Sequence, residues 1–169
     1  CEAFGFEGWG VDISTPAVEA AARTFPIARW VVANADRTMP FGDGCFDLIT
    51  SITARKNPME FARLLAPGGH LLVVVAHEDD QVELRGALFG ALPDSDRAGN
   101  TTSAFESRFE LEDETVVSSQ VVLDPEGLKD LLMGSYRGER FSAQQGLADL
   151  KTLEVTLSYR LLSFRAKKG

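Results

Sequence analysis

Cysteine is scarce: two residues in 169, Cys1 and Cys45, far apart and without a Cys-x-x-Cys spacing. That excludes a disulfide framework and a zinc site made of paired cysteines, and a reducing, cytoplasmic setting fits best. No metal is expected to bind this segment. Long apolar runs are also missing. The strongest, at 71–76, is strand-sized, far short of the roughly 20 residues a membrane helix needs, so no membrane partner is expected. The chain opens Cys-Glu-Ala-Phe, without a basic region and apolar core of a signal peptide and without an initiating Met, which predicts a fragment. Lys and Arg total 17 against 25 Asp and Glu, a net charge of −8, and no basic stripe is visible. A protein held to nucleic acid by phosphate contacts alone is therefore disfavoured. The acidic residues gather at Glu78-Asp79-Asp80 and at Glu110, Glu112, Asp113 and Glu114, as solvated surface does.

What is present is an ordinary globular balance, 44% hydrophobic and 25% charged, in one domain's length. A short strand is predicted at 7–13. Ser14-Thr15-Pro16 then opens a helix, with a hydroxyl cap and a proline whose missing N–H costs nothing in the first turn. Val18, Ala21, Ala22 and Phe25 keep the i, i+3, i+4, i+7 spacing of one buried face, and Pro26 stops it. Strands are expected at 28–34 and 45–52. A second helix carries Pro58, Phe61, Ala62 and Leu65 and ends at Pro67-Gly68-Gly69. Residues 71–76 read as a strand covered on both faces, and 80–92 as a third helix. Residues 93–103 read as a polar loop and 105–123 as two short strands. A helix follows Asp124-Pro125-Glu126, and a shorter one is predicted at 143–150. The last strand, 153–164, has apolar side chains on odd positions up to Leu161, then on Leu162 and Phe164, which predicts a bulge near Leu161. Strands alternating with helices predict a parallel sheet of βαβ units.

In such sheets ligands bind beyond the carboxyl ends of strands. The residues there are Asp12, Asn34 to Arg37, Ser51 to Asn57 and Ala76 to Glu78. A carboxylate at Asp12 could accept both hydroxyls of a ribose or cap the following helix; the glycine-rich turn that usually precedes a ribose-binding acid is absent.

Several segments resemble a known family: Gly10-Val-Asp-Ile-Ser14, Pro40-Phe41, Phe46-Asp47, and Glu60-Phe-Ala-Arg-Leu-Leu-Ala-Pro-Gly-Gly69 followed by Leu-Leu-Val-Val-Val. Together they are similar to class I S-adenosylmethionine-dependent methyltransferases. Glu83-Leu84-Arg85, Phe109-Glu110-Leu111, Leu131-Leu132-Met133 and the terminal strand further resemble the large-subunit ribosomal RNA guanine-N1 methyltransferases. The resemblance implies an α/β, Rossmann-like sheet, mostly parallel with a long antiparallel C-terminal strand. Residues 1–169 would be a partial catalytic domain lacking the family's zinc module, first strand and glycine-rich motif. Such a segment, taken alone, is expected to bind cofactor poorly and to be inactive.

It implies S-adenosyl-L-methionine as cofactor, with Asp12 on the ribose hydroxyls, Ile13 on the adenine face, and Asn34 and Ala35 at the adenine edge. Ser51 and Thr53 end the strand nearest the methionine moiety. Arg55 and Lys56, in the place of the family's Ala-Pro-Cys-Lys stretch, offer contacts for a phosphate or carboxylate; Phe41 and Tyr136 could stack on a base. A guanine N1 acceptor must shed a proton, and Asp36, His77 and Glu78 stand at suitable strand ends as candidate bases. The expected partner is ribosomal RNA. The alternatives are a small-molecule methyltransferase on the same scaffold, favoured by the acidic balance, and a truncated domain without activity.

Overall fold

The computed structural model describes residues 5–90, 96–133, 146 and 150–167. Its elements run β1 (Trp9–Asp12), α1 (Thr15–Thr24), β2 (Arg29–Val32), β3 (Phe46–Ile52), α2 (Pro58–Leu64), β4 (Leu65–Ala76), α3 (Val82–Phe89), α4 (Arg97–Phe105), β5 (Phe109–Leu123), α5 (Pro125–Met133) and β6 (Leu153–Ala166). No described helix is long and apolar enough to cross a membrane.

Two ladders form among the described residues: β1 beside β2, and the order β3-β4-β6-β5. The pairs β1–β2 and β3–β4 are parallel, whereas β6 runs antiparallel to both β4 and β5. Two bridges align the ladders in one direction. At the amino ends Phe41 stands edge-on between Trp9 of β1 (5.4 Å between ring centres) and Phe46 of β3 (5.1 Å). At the carboxyl ends Asn57, just after β3, donates its amide to the Ala35 carbonyl, just after β2, at 3.2 Å. The carboxyl ends of β1 to β4 therefore share one rim.

Local signals explain the first half. Ser14 caps α1 by accepting from the Ala17 N–H, with Pro16 in the first turn. Asn57 caps α2 by accepting from the Glu60 N–H, with Pro58 behind it. Glycine is required at Gly10, where the Trp30 indole lies over the strand and leaves no room for a Cβ.

Four expectations change. Leu65 leaves the helix: α2 stops at Leu64, and Leu65 already pairs with Phe46, so β4 starts six residues before Leu71 and absorbs the glycine turn as a register shift. The expected loop at 93–103 contains helix α4, capped by Asp96 accepting from the Gly99 N–H at 2.7 Å. Residues 109–123 make one long strand, not two short ones, and the bulge lies on it: the register slips between Leu111 and Asp113 opposite an unbroken β6. The apolar phase change along β6 has another cause. Val155 and its partly buried neighbours Leu153 and Leu157 pack with Leu84 of α3 and Leu128 of α5, while Leu162 and Phe164 join the main core around Phe61, Phe105 and Phe109. Odd and even positions face opposite sides of a strand, so the buried stripe changes side with the core it serves. The predicted helix at 143–150 falls almost wholly outside the described residues.

One buried charge fixes the loop that carries Phe41. Glu60, 7% exposed, accepts the Met39 N–H at 2.7 Å and is gripped by the Arg63 guanidinium, which also donates to the Phe41 carbonyl and to Asp43. The Arg63 hydrogen bond, with help from the Met39 N–H and against the effect of burial, holds the Glu60 carboxyl below the ordinary range. A depressed acid contributes stability that is present above its unfolded value and is lost as pH falls through the folded one. Glu60→Gln should therefore lower stability at neutral pH and flatten its decline below about pH 4.5. Denaturant midpoints measured from pH 7 to 3 test this; an unchanged acid slope would count against the clamp.

Candidate functional site at the strand carboxyl ends

Asp12 ends β1 with its side chain exposed, and its Oδ1 accepts the Ser14 N–H at 2.8 Å. One oxygen thus shapes the strand-to-helix turn, leaving Oδ2 with no protein partner among the described residues. Ile13 beside it is 67% exposed, an apolar side chain held out at the rim. Asn34, two residues past β2, uses Oδ1 in the same manner on the Asp36 N–H, at 2.9 Å. Its side-chain N–H groups and the second lone pair of Oδ1 remain for a ligand edge. Ala35 follows, with its carbonyl tied to Asn57.

At the end of β3, Ser51 is 5% exposed and its hydroxyl has no hydrogen-bond partner among the described residues, a buried polar atom that requires explanation. Two residues on, Thr53 has φ +46° while its N–H donates to the Val74 carbonyl at 2.9 Å. A β-branched residue in the left-handed region is strained, and such strain gathers at ligand sites. The acid Asp12, the amide Asn34, the orphaned Ser51 hydroxyl and the strained Thr53 thus stand along one rim.

The remaining predicted residues divide. Arg55 pairs with Asp36 at 3.6 Å, both largely solvated. Lys56 turns away from Arg55 and donates to the Thr101 hydroxyl of α4 at 2.7 Å; burial, then the nearby Arg97 charge, lowers its pKa. Past β4, His77 lies between two carboxylates, Glu78 at 2.8 Å from Nε2 and Asp79 at 3.4 Å from Nδ1. Glu78 also binds Arg160 at 3.1 Å. Hydrogen bonding from its own N–H, ahead of the Arg160 and His77 charges and against desolvation, keeps its carboxyl below the ordinary range. Phe41 is corrected: it packs between Trp9 and Phe46 at the amino ends of the strands, on the rim opposite Asp12 and Asn34, because the Glu60–Arg63 clamp holds its loop there. Tyr136 lies outside the described residues.

Sequence reasoning missed Arg97, Thr101 and Asp80. The first two belong to α4, whose spacing of Ala98, Thr101 and Phe105 was the available signal, obscured by Gly99-Asn100. Asp80, expected on solvated surface with Glu78 and Asp79, instead precedes α3 buried, accepting the Ser158 N–H at 3.1 Å, and desolvation raises its pKa. Among the described residues no group of three His, Cys, Asp or Glu side chains is arranged to hold a metal ion.

Comparison with known proteins points to methyltransferases. A family described as a methyltransferase domain matches residues 1–73. The 23S rRNA (guanine(748)-N(1))-methyltransferase of Streptomyces fradiae is 35% identical over 157 residues, covering 90% of this chain. The chain spans 56% of that relative's length. Among solved structures, the YcgJ protein from Bacillus subtilis superposes with a TM-score of 0.60 at 18% identity, covering 96% of this chain and 83% of its own. Geranyl diphosphate methyltransferase in complex with SAM gives 0.53 at 20% identity, covering 98% and 71%. At those identities the structures speak for the fold alone. The chain has the fold of the class I methyltransferases and, in sequence, resembles their large-subunit ribosomal RNA guanine-N1 family.

Proposed function

We propose that residues 1–169 form part of the catalytic domain of an S-adenosylmethionine-dependent enzyme that methylates N1 of a guanine in 23S ribosomal RNA. The observation that carries this reading is the rim itself. A free carboxylate oxygen at Asp12, an amide edge at Asn34 and an unsatisfied buried hydroxyl at Ser51 suit a nucleoside with a polar tail. The residues present fit the group: Asp12 would take the ribose hydroxyls, Ile13, Asn34 and Ala35 the adenine, and Ser51 and Thr53 the amino-acid end. When bound, the cofactor supplies an already activated methyl group. The protein's task is then alignment, exclusion of water and removal of one proton.

Guanine N1 carries a hydrogen that must leave, so a base helps. His77 has a carboxylate at each ring nitrogen, and Glu78 is shared between His77 and Arg160. Among the described residues the Asp36 carboxylate has only the solvated Arg55 contact and keeps an accepting oxygen open, which favours it as the proton acceptor. The cytoplasmic setting follows from an RNA substrate of the ribosome.

The net charge of −8 favours a second reading, a small-molecule acceptor on the same scaffold. Labelled methyl transfer separates the two. The protein is incubated with methyl-labelled S-adenosylmethionine and either a 23S rRNA transcript or a small-molecule extract. Label in the RNA is expected, with reverse transcription halting at one guanine, because an N1 methyl removes the base-pairing donor. Label only in the extract would replace the RNA reading, and label in neither would leave a domain without activity.

A further inference from the structure

Lys56, just after β3, and Arg97, in the first turn of α4, come from elements forty residues apart and converge beside the carboxyl end of β4. Lys56 Nζ donates to the Thr101 hydroxyl at 2.7 Å, which donates to the Arg97 carbonyl at 2.6 Å. The Arg97 guanidinium reaches the carbonyl of Ala76, the last residue of β4, at 3.4 Å. Both side chains are partly buried, and Thr101 between them is 1% exposed. Among the described residues neither cation has a carboxylate within ion-pair distance. Asp80 interacts with Arg97 only through space, while its oxygens accept from Ser158 and Gln81. By contrast, Arg63, Arg160, Arg165 and Arg29 all have carboxylate partners.

Two partly desolvated like charges without a carboxylate in direct contact repel each other, and burial adds to the cost. Such an arrangement is stabilised by an anion that accepts from both. The forked guanidinium and the single ammonium offer several donors to a tetrahedral oxyanion. We propose that Lys56 and Arg97 form the seat for a backbone phosphate of the RNA acceptor, positioning the target nucleotide over the β3–β4 end of the rim. This rests on the RNA reading above and deepens it. It also accounts for how a chain with a net charge of −8 engages RNA: through a local pair of cations instead of a basic face.

The test is binding of the 23S rRNA transcript across a salt series, for the wild-type protein, Lys56→Gln, Arg97→Gln and the double variant. Lys129→Ala, a distant exposed cation on α5, serves as the control. Loss of this one phosphate contact should reduce the slope of log affinity against log salt by about 0.7 in the double variant and by part of that in each single variant, with no change in the control. Circular dichroism establishes that the variants fold, and Lys56→Arg should restore the slope lost in Lys56→Gln. A double variant that keeps the wild-type slope while the wild type methylates the RNA overturns the phosphate seat and leaves the function intact. A wild type that neither binds nor methylates the RNA overturns both. The one other anion source at this rim is the carboxylate of the cofactor, so each protein is also titrated with S-adenosylhomocysteine. Loss of that affinity with an unchanged RNA slope would reassign the pair to the cofactor and overturn the proposal.

Discussion

Phe105→Ala should lower the unfolding free energy by about 3–5 kcal/mol, the usual cost of truncating a buried phenylalanine. Phe105 is fully buried at the end of α4. Its ring stacks on Phe164 of β6 at 5.3 Å and on Phe61 of α2 at 6.2 Å, and meets Phe109 of β5 edge-on at 5.4 Å. Three elements thus meet on one side chain, and none can move into the void without uncovering another. Against a total stability of about 5–15 kcal/mol, that loss is a large share. A shift in denaturant midpoint at constant slope, read beside Val116→Ala on the exposed edge, measures it; the edge variant should stay within about 0.5 kcal/mol. A loss below 1 kcal/mol for Phe105→Ala would mean that α4 does not dock here. Because α4 also carries Arg97 and Thr101, the same variant should weaken RNA binding more than its fraction unfolded explains.

The helix that matters most for that argument is the one the sequence hid. Gly99 and Asn100 are turn formers, and in isolation they outweigh the helical spacing of Ala98, Thr101 and Phe105. In the folded chain the Asp96 cap and the burial of Phe105 reverse the balance, and tertiary packing supplies what local propensity withholds. The first half was readable for the opposite reason. Ser14-Thr15-Pro16 and Asn57-Pro58 are caps whose partners lie three residues away, so the information is local. The clamp of Glu60 on Met39, 21 residues back, and the Lys56–Thr101 contact, 45 residues ahead, depend on which loops the sheet brings together. Periodicity cannot report such pairs. It also misplaced the bulge, since an apolar stripe changes phase equally well when a strand passes from one core to another.

Asp12 carries the second large effect. Its two oxygens have separate tasks: Oδ1 receives the Ser14 N–H, and Oδ2 has no protein partner among the described residues. If Oδ2 accepts from a ribose, Asp12→Ala should weaken S-adenosylhomocysteine binding by about 1.5–3 kcal/mol, roughly 10- to 150-fold, the value of a hydrogen bond to a charged group. The alanine variant also loses the turn, however, and could weaken binding by loosening the start of α1. Asp12→Asn separates the two effects, because an amide oxygen still accepts from Ser14 but without the carboxylate's charge. It should keep the thermal midpoint near that of the wild type and still lose a substantial part of the affinity. A cofactor analogue without ribose hydroxyls closes the cycle: it should bind the wild type weakly and be nearly indifferent to Asp12→Asn. Equal losses for both ligands would show that Asp12 acts through the turn alone, and the nucleoside would then have to be held by Asn34 and the orphaned hydroxyl of Ser51.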